Sequence, residues 1–93
     1  MATLHLPSAL STYAGGHKHV EVVLAGAGTV AALLEAVGRE HPGVRQRVLD
    51  ELGRLRPHVN VFVNGESIRY LAGLETPVAD GDDVRVIAAV SGG

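Results

Sequence analysis

Val59-Asn60-Val61-Phe62-Val63-Asn64-Gly65 is the stretch that decides how the chain folds. Valines at 59, 61 and 63 alternate with Asn60 and Phe62, the period of a strand with one buried face. Asn64-Gly65 accepts positive φ at both central positions of a type I′ turn, so the strand should fold back as a hairpin. Ile68 to Tyr70 is then expected to be the short returning strand.

Working outward, Val84 to Ala88 reads as a last strand after the Asp80-Gly81-Asp82 turn, with Val84 and Val86 on one face and Arg85 and Ile87 on the other. Upstream, Val30, Leu33, Leu34 and Val37 recur at i, i+3, i+4 and i+7, one apolar face of a helix. Thr29 is its predicted N-cap and Pro42-Gly43 its stop. Val44, Val48, Leu49 and Leu52 suggest a second, shorter helix. Leu4 and Leu6, then Val20, Val22 and Leu24, give two N-terminal strands joined through a turn region at Ser11 to Gly16. The order is β-β-α-β-β-β, an α+β arrangement. Its small known solution is the ubiquitin-like β-grasp: a mixed sheet of about four to five strands with one main helix packed across it. In that fold the first and last strands lie parallel at the sheet centre. Residues 1–93 are expected to form a single domain of this kind with a flexible C-terminal tail, 89–93.

Composition removes several functions. A 93-residue chain is one domain, too small for two lobes around a cleft. Three aromatic residues, Tyr13, Phe62 and Tyr70, are few for a base-stacking platform, and a net charge of −2 gives no nucleic-acid footprint. Five of the eight basic residues are nonetheless Arg39, Arg45, Arg47, Arg54 and Arg56. They read as a solvated face, with a docking surface for an acidic protein partner as the sharper alternative. The absence of cysteine removes disulfides, cysteine-ligated metals and a catalytic thiol. There is no basic start followed by an apolar run and no membrane-length apolar stretch, so the expectation is a cytoplasmic protein that does not engage membranes.

The sequence closes on Ala88-Ala89-Val90-Ser91-Gly92-Gly93. A glycine pair has no Cβ and can thread a narrow channel. Five extended residues, 89–93, reach roughly 17 Å. The last carboxylate can serve as the reactive group once adenylation gives it a leaving group.

Val61-Phe62-Val63-Asn64-Gly65, Leu74-Glu75-Thr76-Pro77-Val78-Ala79-Asp80-Gly81-Asp82-Asp83-Val84 and Val90-Ser91-Gly92-Gly93 together resemble the ubiquitin-like sulfur carriers of the MoaD/ThiS family. The Gly15-Gly16 loop and Val59-Asn60-Val61-Phe62-Val63-Asn64 are most similar to its cysteine-biosynthesis branch. One departure is Ala88-Ala89, where molybdopterin-synthase small subunits usually carry two prolines. The resemblance implies a carrier with no catalytic residues and no permanently bound cofactor. An E1-like enzyme would use ATP and Mg²⁺ to adenylate Gly93, and a sulfur donor would convert it to a thiocarboxylate. A cysteine-synthase-like PLP enzyme is the implied acceptor, with a metalloprotease releasing product. Gly92, Ser91 and Val90 would enter the partner's active site. Ile87 and Phe62 are the candidates for a docking patch, with core packing the alternative for Phe62. Molybdopterin and thiamine pathways, and conjugation to lysines as a protein modifier, are the alternatives.

Two weaker patterns carry less. Gly26-Ala27-Gly28-Thr29-Val30-Ala31 matches a dinucleotide fingerprint, but the chain is too short for a doubly wound sheet, so it reads as a turn and helix cap. His17 and His19 share a strand face, and His5 would join them as metal ligands only if the hairpin register allowed it; the expected reading is an exposed pair with no metal.

Overall fold

The structure, a computed structural model, describes residues 1–24 and 28–88. Its elements are β1 (Ala2–His5), a helical turn α1 (Ser8–Ser11), β2 (His19–Val22), β3 (Gly28–Thr29), α2 (Val30–Glu40), α3 (Pro42–Val48), β4 (Val59–Val63), β5 (Glu66–Ser67), β6 (Pro77–Val78) and β7 (Asp83–Ala88). The main sheet has five strands in the order β2-β1-β7-β4-β5. β1 and β7 run parallel at its centre, with Leu4 beside Val84, and every other pairing in it is antiparallel. This is the β-grasp expected from the element order.

One face of this sheet holds the core. Leu4, Val20, Val22, Val59, Val61, Val63, Val84 and Val86 are buried, each alternating with a less buried neighbour. Against them α2 packs Val30, Leu33, Leu34 and Val37, all buried, the stripe that the i, i+3, i+4, i+7 spacing predicts. Each such side chain contributes roughly 1.5–3 kcal/mol by leaving water. Thr29 caps α2, its hydroxyl accepting from the Ala32 N–H at 3.1 Å. Gly26 and Ala27 of the fingerprint-like stretch lie outside the described residues.

The structure corrects four local expectations. The hairpin at Asn64-Gly65 forms, with φ of +50° and +87°, but the returning strand is Glu66–Ser67. Ile68–Tyr70 is instead a 3-10 turn: the Ser67 hydroxyl accepts from the Arg69 N–H, and Ile68 is buried in the core. The second helix ends at Val48 rather than running to Leu52. There Asp50 accepts from the N–H groups of both Leu52 and Arg54 at 2.9 Å, closing a turn that leaves Leu52 76% exposed. The Ser11-to-Gly16 connection is largely helical, with α1 and a 3-10 turn at Thr12–Ala14 before Gly15 at φ +67°. Finally, β3 and β6 form a separate two-stranded ribbon beneath the start of α2 that two-residue strands could not announce. Among the described residues no helix is long and apolar enough to cross a membrane.

Candidate functional site

Among the described residues no helix packs on the sheet's second face. Its central strands place Arg85 opposite Phe62 and Ile87 opposite Asn60. Ile87 is 47% exposed, whereas its neighbour Val86 is buried at 1%. The alternation along β7 therefore puts Ile87 outward, as the sequence predicts. Phe62 is half-buried and lies on this same outward face, between the core valines Val61 and Val63. Phe62 therefore lies outside the main core. Phe62, Ile87, Arg85, Asp83, Asn64 and Gly65 line a depression of about 270 Å³. Arg85 and Ile87 also line a second hollow of about 200 Å³, shared with His5, Leu6, Pro7 and Ala88. An apolar pair sharing a hollow with an arginine is a surface that can seat a partner side chain.

Ala88 closes β7 and pairs with Val59, the first residue of β4. β7 thus finishes beside the start of β4, at the Ile87 end of the open face. Val90, Ser91, Gly92 and Gly93, the predicted tail and sulfur-loading residues, lie outside the described residues.

A polar network crosses the same face. His5 Nε2 lies 2.9 Å from the Asp83 carboxylate, and the His5 and His19 rings meet edge to face at 4.7 Å. The hairpin register makes this contact, because it sets His5 directly across from His19. His17 precedes the strand and takes no part in that pair. Among the described residues no group of three His, Asp or Glu side chains stands where it could hold a metal ion. This network needs the pairing of three strands, so sequence spacing alone did not reveal it.

At the opposite end of the sheet two turns hold each other. Asp82 accepts from the Ala79 N–H at 2.9 Å and from Asn64 Nδ2 at 3.1 Å. Those donors, the backbone N–H first, hold its carboxyl below the usual carboxylate range. They anchor the start of β7, and through it the position of Arg85 and Ile87.

A family model described as the ThiS family matches residues 4–93. The sulfur carrier protein CysO of Mycobacterium tuberculosis is 36% identical over 93 residues, covering 98% of this chain and 97% of that protein. The small archaeal modifier protein 1 of Haloferax volcanii is 37% identical over 78 residues, covering 84% of this chain and 85% of that one. Among solved structures, a chain of the Amycolatopsis orientalis BexX/CysO complex superposes with a TM-score of 0.89 at 36% identity, covering 100% of both chains.

Proposed function

The chain belongs to the ThiS family of ubiquitin-like domains, and from that premise we propose that it is a sulfur carrier working through the carboxylate of Gly93. An E1-like enzyme, with ATP and Mg²⁺, would join a Gly93 carboxylate oxygen to the α-phosphorus and expel pyrophosphate. A sulfide-equivalent nucleophile then attacks the acyl carbon, and AMP leaves with the oxygen, giving a thiocarboxylate. The chain supplies the carrier and the partner supplies the catalysis. Gly92 lets the tail thread, with Ser91 and Val90 following it into the partner's active site, while Phe62 and Ile87 seat the body.

The observation that carries this reading is positional. The outward Ile87 stands on the same strand that leads into the tail, one residue before the Ala88–Val59 pair. A partner gripping this face receives the tail in a fixed direction, which lowers the entropic cost of bringing Gly93 to its nucleotide. The similarity to CysO over nearly the whole chain supports sulfur transfer as the use. By the same similarity, a cysteine-synthase-like PLP enzyme is the favoured acceptor, with a metalloprotease to release product. The molybdopterin alternative is weaker, because Ala88-Ala89 replaces the usual prolines.

The test is intact mass. Incubated with an E1-like enzyme, ATP, Mg²⁺ and sulfide, the chain should gain about 16 Da as sulfur replaces oxygen at an activated acyl group. Loss of that gain on deleting Gly93 is expected. No gain with a panel of such enzymes, each active on its own carrier, overturns the proposal. A second reading, conjugation to lysines as a modifier, is favoured by the small archaeal modifier similarity. It predicts high-mass conjugates in lysate that disappear when Gly92 and Gly93 are removed.

A further inference from the structure

Four of the five arginines between residues 39 and 56 fall into two classes. Arg45 pairs with Glu35, and Arg54 with Asp50 at 3.0 Å. Arg47 and Arg56 have no carboxylate partner among the described residues. The Arg47 guanidinium lies 4.6 Å from the centre of the Tyr13 ring, and Arg56 Nε donates to the Gln46 carbonyl at 2.8 Å. Both contacts fix a guanidinium without neutralising it. With Gln46 and His58 these two arginines line a depression of about 340 Å³.

Its position gives the cluster meaning. His58 directly precedes Val59, and Val59 pairs with Ala88, so the depression adjoins the end of the sheet from which the tail departs. Arg69 reaches the same end, where its guanidinium donates to the Pro57 carbonyl at 3.4 Å and the Val59 carbonyl at 3.1 Å. Glu66, Asp80, Asp82 and Asp83 sit at the other end, in and beside the two turns joined by Asn64. Guanidiniums without a carboxylate partner thus gather at the end of the sheet where β7 finishes, with Asp50 and Glu51 sharing the neighbouring depression with Arg56.

We propose that Arg47, Arg56, His58 and Arg69 form a cationic collar that docks an acidic peptide segment, the carboxylate-bearing rim of the channel that takes in the tail. The identity of that rim rests on the carrier reading above; the affinity for an acidic segment does not. Separate guanidiniums on α3 and on the 56–69 segments suit several carboxylates spaced along a peptide. Charge placed this way turns the tail-bearing end towards an acidic partner during encounter and fixes the docking register.

The probe is hexaglutamate, titrated into the full chain while backbone amide resonances are followed. Saturable shifts should centre on Gln46, Arg47, Arg56 and His58 and weaken as salt is added. The double substitution Arg47→Gln/Arg56→Gln should weaken binding about fivefold or more. Arg39→Gln, exposed but outside the collar, should leave it unchanged. Retained spectral dispersion would show that the double variant is folded. Absence of shifts, shifts spread evenly over Lys18, Arg39 and Arg85, or saturation of these residues by inorganic phosphate but not hexaglutamate overturns the collar. The two readings separate cleanly. Hexaglutamate binding without any gain in mass keeps the collar and sinks the carrier. Sulfur loading with an unchanged KM for the double variant keeps the carrier and sinks the assignment of the rim.

Discussion

Asn64 and Asp82, eighteen residues apart, hold the two turns at one end of the sheet together. The Asn64 amide donates to the Asp82 carboxylate at 3.1 Å, and its oxygen accepts from the Asp83 N–H at 2.9 Å. Asn64 also adopts φ +50°, a conformation that few residues other than asparagine and glycine take readily. Asn64→Ala therefore loses two hydrogen bonds and meets a steric penalty. The expected loss is about 2 kcal/mol, read as a lower urea midpoint with an unchanged slope. Asn64→Gly keeps the backbone conformation and should be the milder of the two. Equal stability of both variants with the parent would show that this link contributes nothing.

Acid should weaken the fold through three carboxyls. Asp82 is held low chiefly by the Ala79 N–H, Asp50 chiefly by the Arg54 N–H, and Glu35 chiefly by its hydrogen bond from Arg45. A carboxyl lowered in the native state adds stability above its unfolded value, about 4, and loses it as pH falls through the native value. The urea midpoint should be flat from about pH 7 to 5 and fall below about pH 4. Asp82→Asn should flatten that fall. A midpoint that rises between pH 5 and 3 contradicts this account.

Gly38 lies inside α2, where alanine ordinarily stabilises a helix by about 1 kcal/mol. Here a Cβ would stand 2.8 Å from Arg45 Cβ and 3.0 Å from its Cδ, because α2 and α3 approach closely at this point. The nearest atom belongs to the base of the Arg45 side chain, which cannot swing aside. Gly38→Ala should thus destabilise by about 1–2 kcal/mol, opposite in sign to its helix propensity. Thermal melting of the variant decides between the two signs.

Gly38 marks the boundary of what the sequence makes legible. Features set by neighbouring residues were readable: the Val59–Val63 alternation, the Asn64-Gly65 turn, the apolar stripe of α2 and the outward side of Ile87. The parallel pairing of β1 with β7 followed from the element order. Features set by contacts between distant segments were not. The close approach of α2 to α3, the His19–His5–Asp83 network and the split of the arginines into paired and unpaired sets each depend on register or packing. Ile68 reads as strand from its neighbours but lies in a 3-10 turn, because a buried isoleucine after a hairpin turn has the same local pattern in both. There the Ser67 hydroxyl tips the balance by accepting the Arg69 N–H. Sequence motifs single out Gly92 and Gly93, while the hollow shared by Phe62 and Ile87 needs the fold.

Val86 and Ile87 are adjacent on β7 but face opposite sides of the sheet, and their substitutions should separate stability from recognition. Val86 is buried at 1%, so Val86→Ala should cost about 2 kcal/mol through the cavity it leaves. Wherever the chain remains folded, its KM in an ATP-dependent adenylation assay should match the parent's. Ile87 is 47% exposed, so Ile87→Glu should change stability by no more than about 0.5 kcal/mol. It nevertheless places a carboxylate in the hollow beside Phe62 that a partner side chain is proposed to fill. Its KM for the activating enzyme should rise about tenfold or more, since a carboxylate replaces apolar surface that the partner would cover, and desolvating it costs several kcal/mol. Phe62→Ala should raise KM in the same direction, and with Ile87→Glu the effects should be less than additive because the two side chains line one hollow. If Ile87→Glu leaves KM unchanged, the open face of the sheet is not where the partner grips.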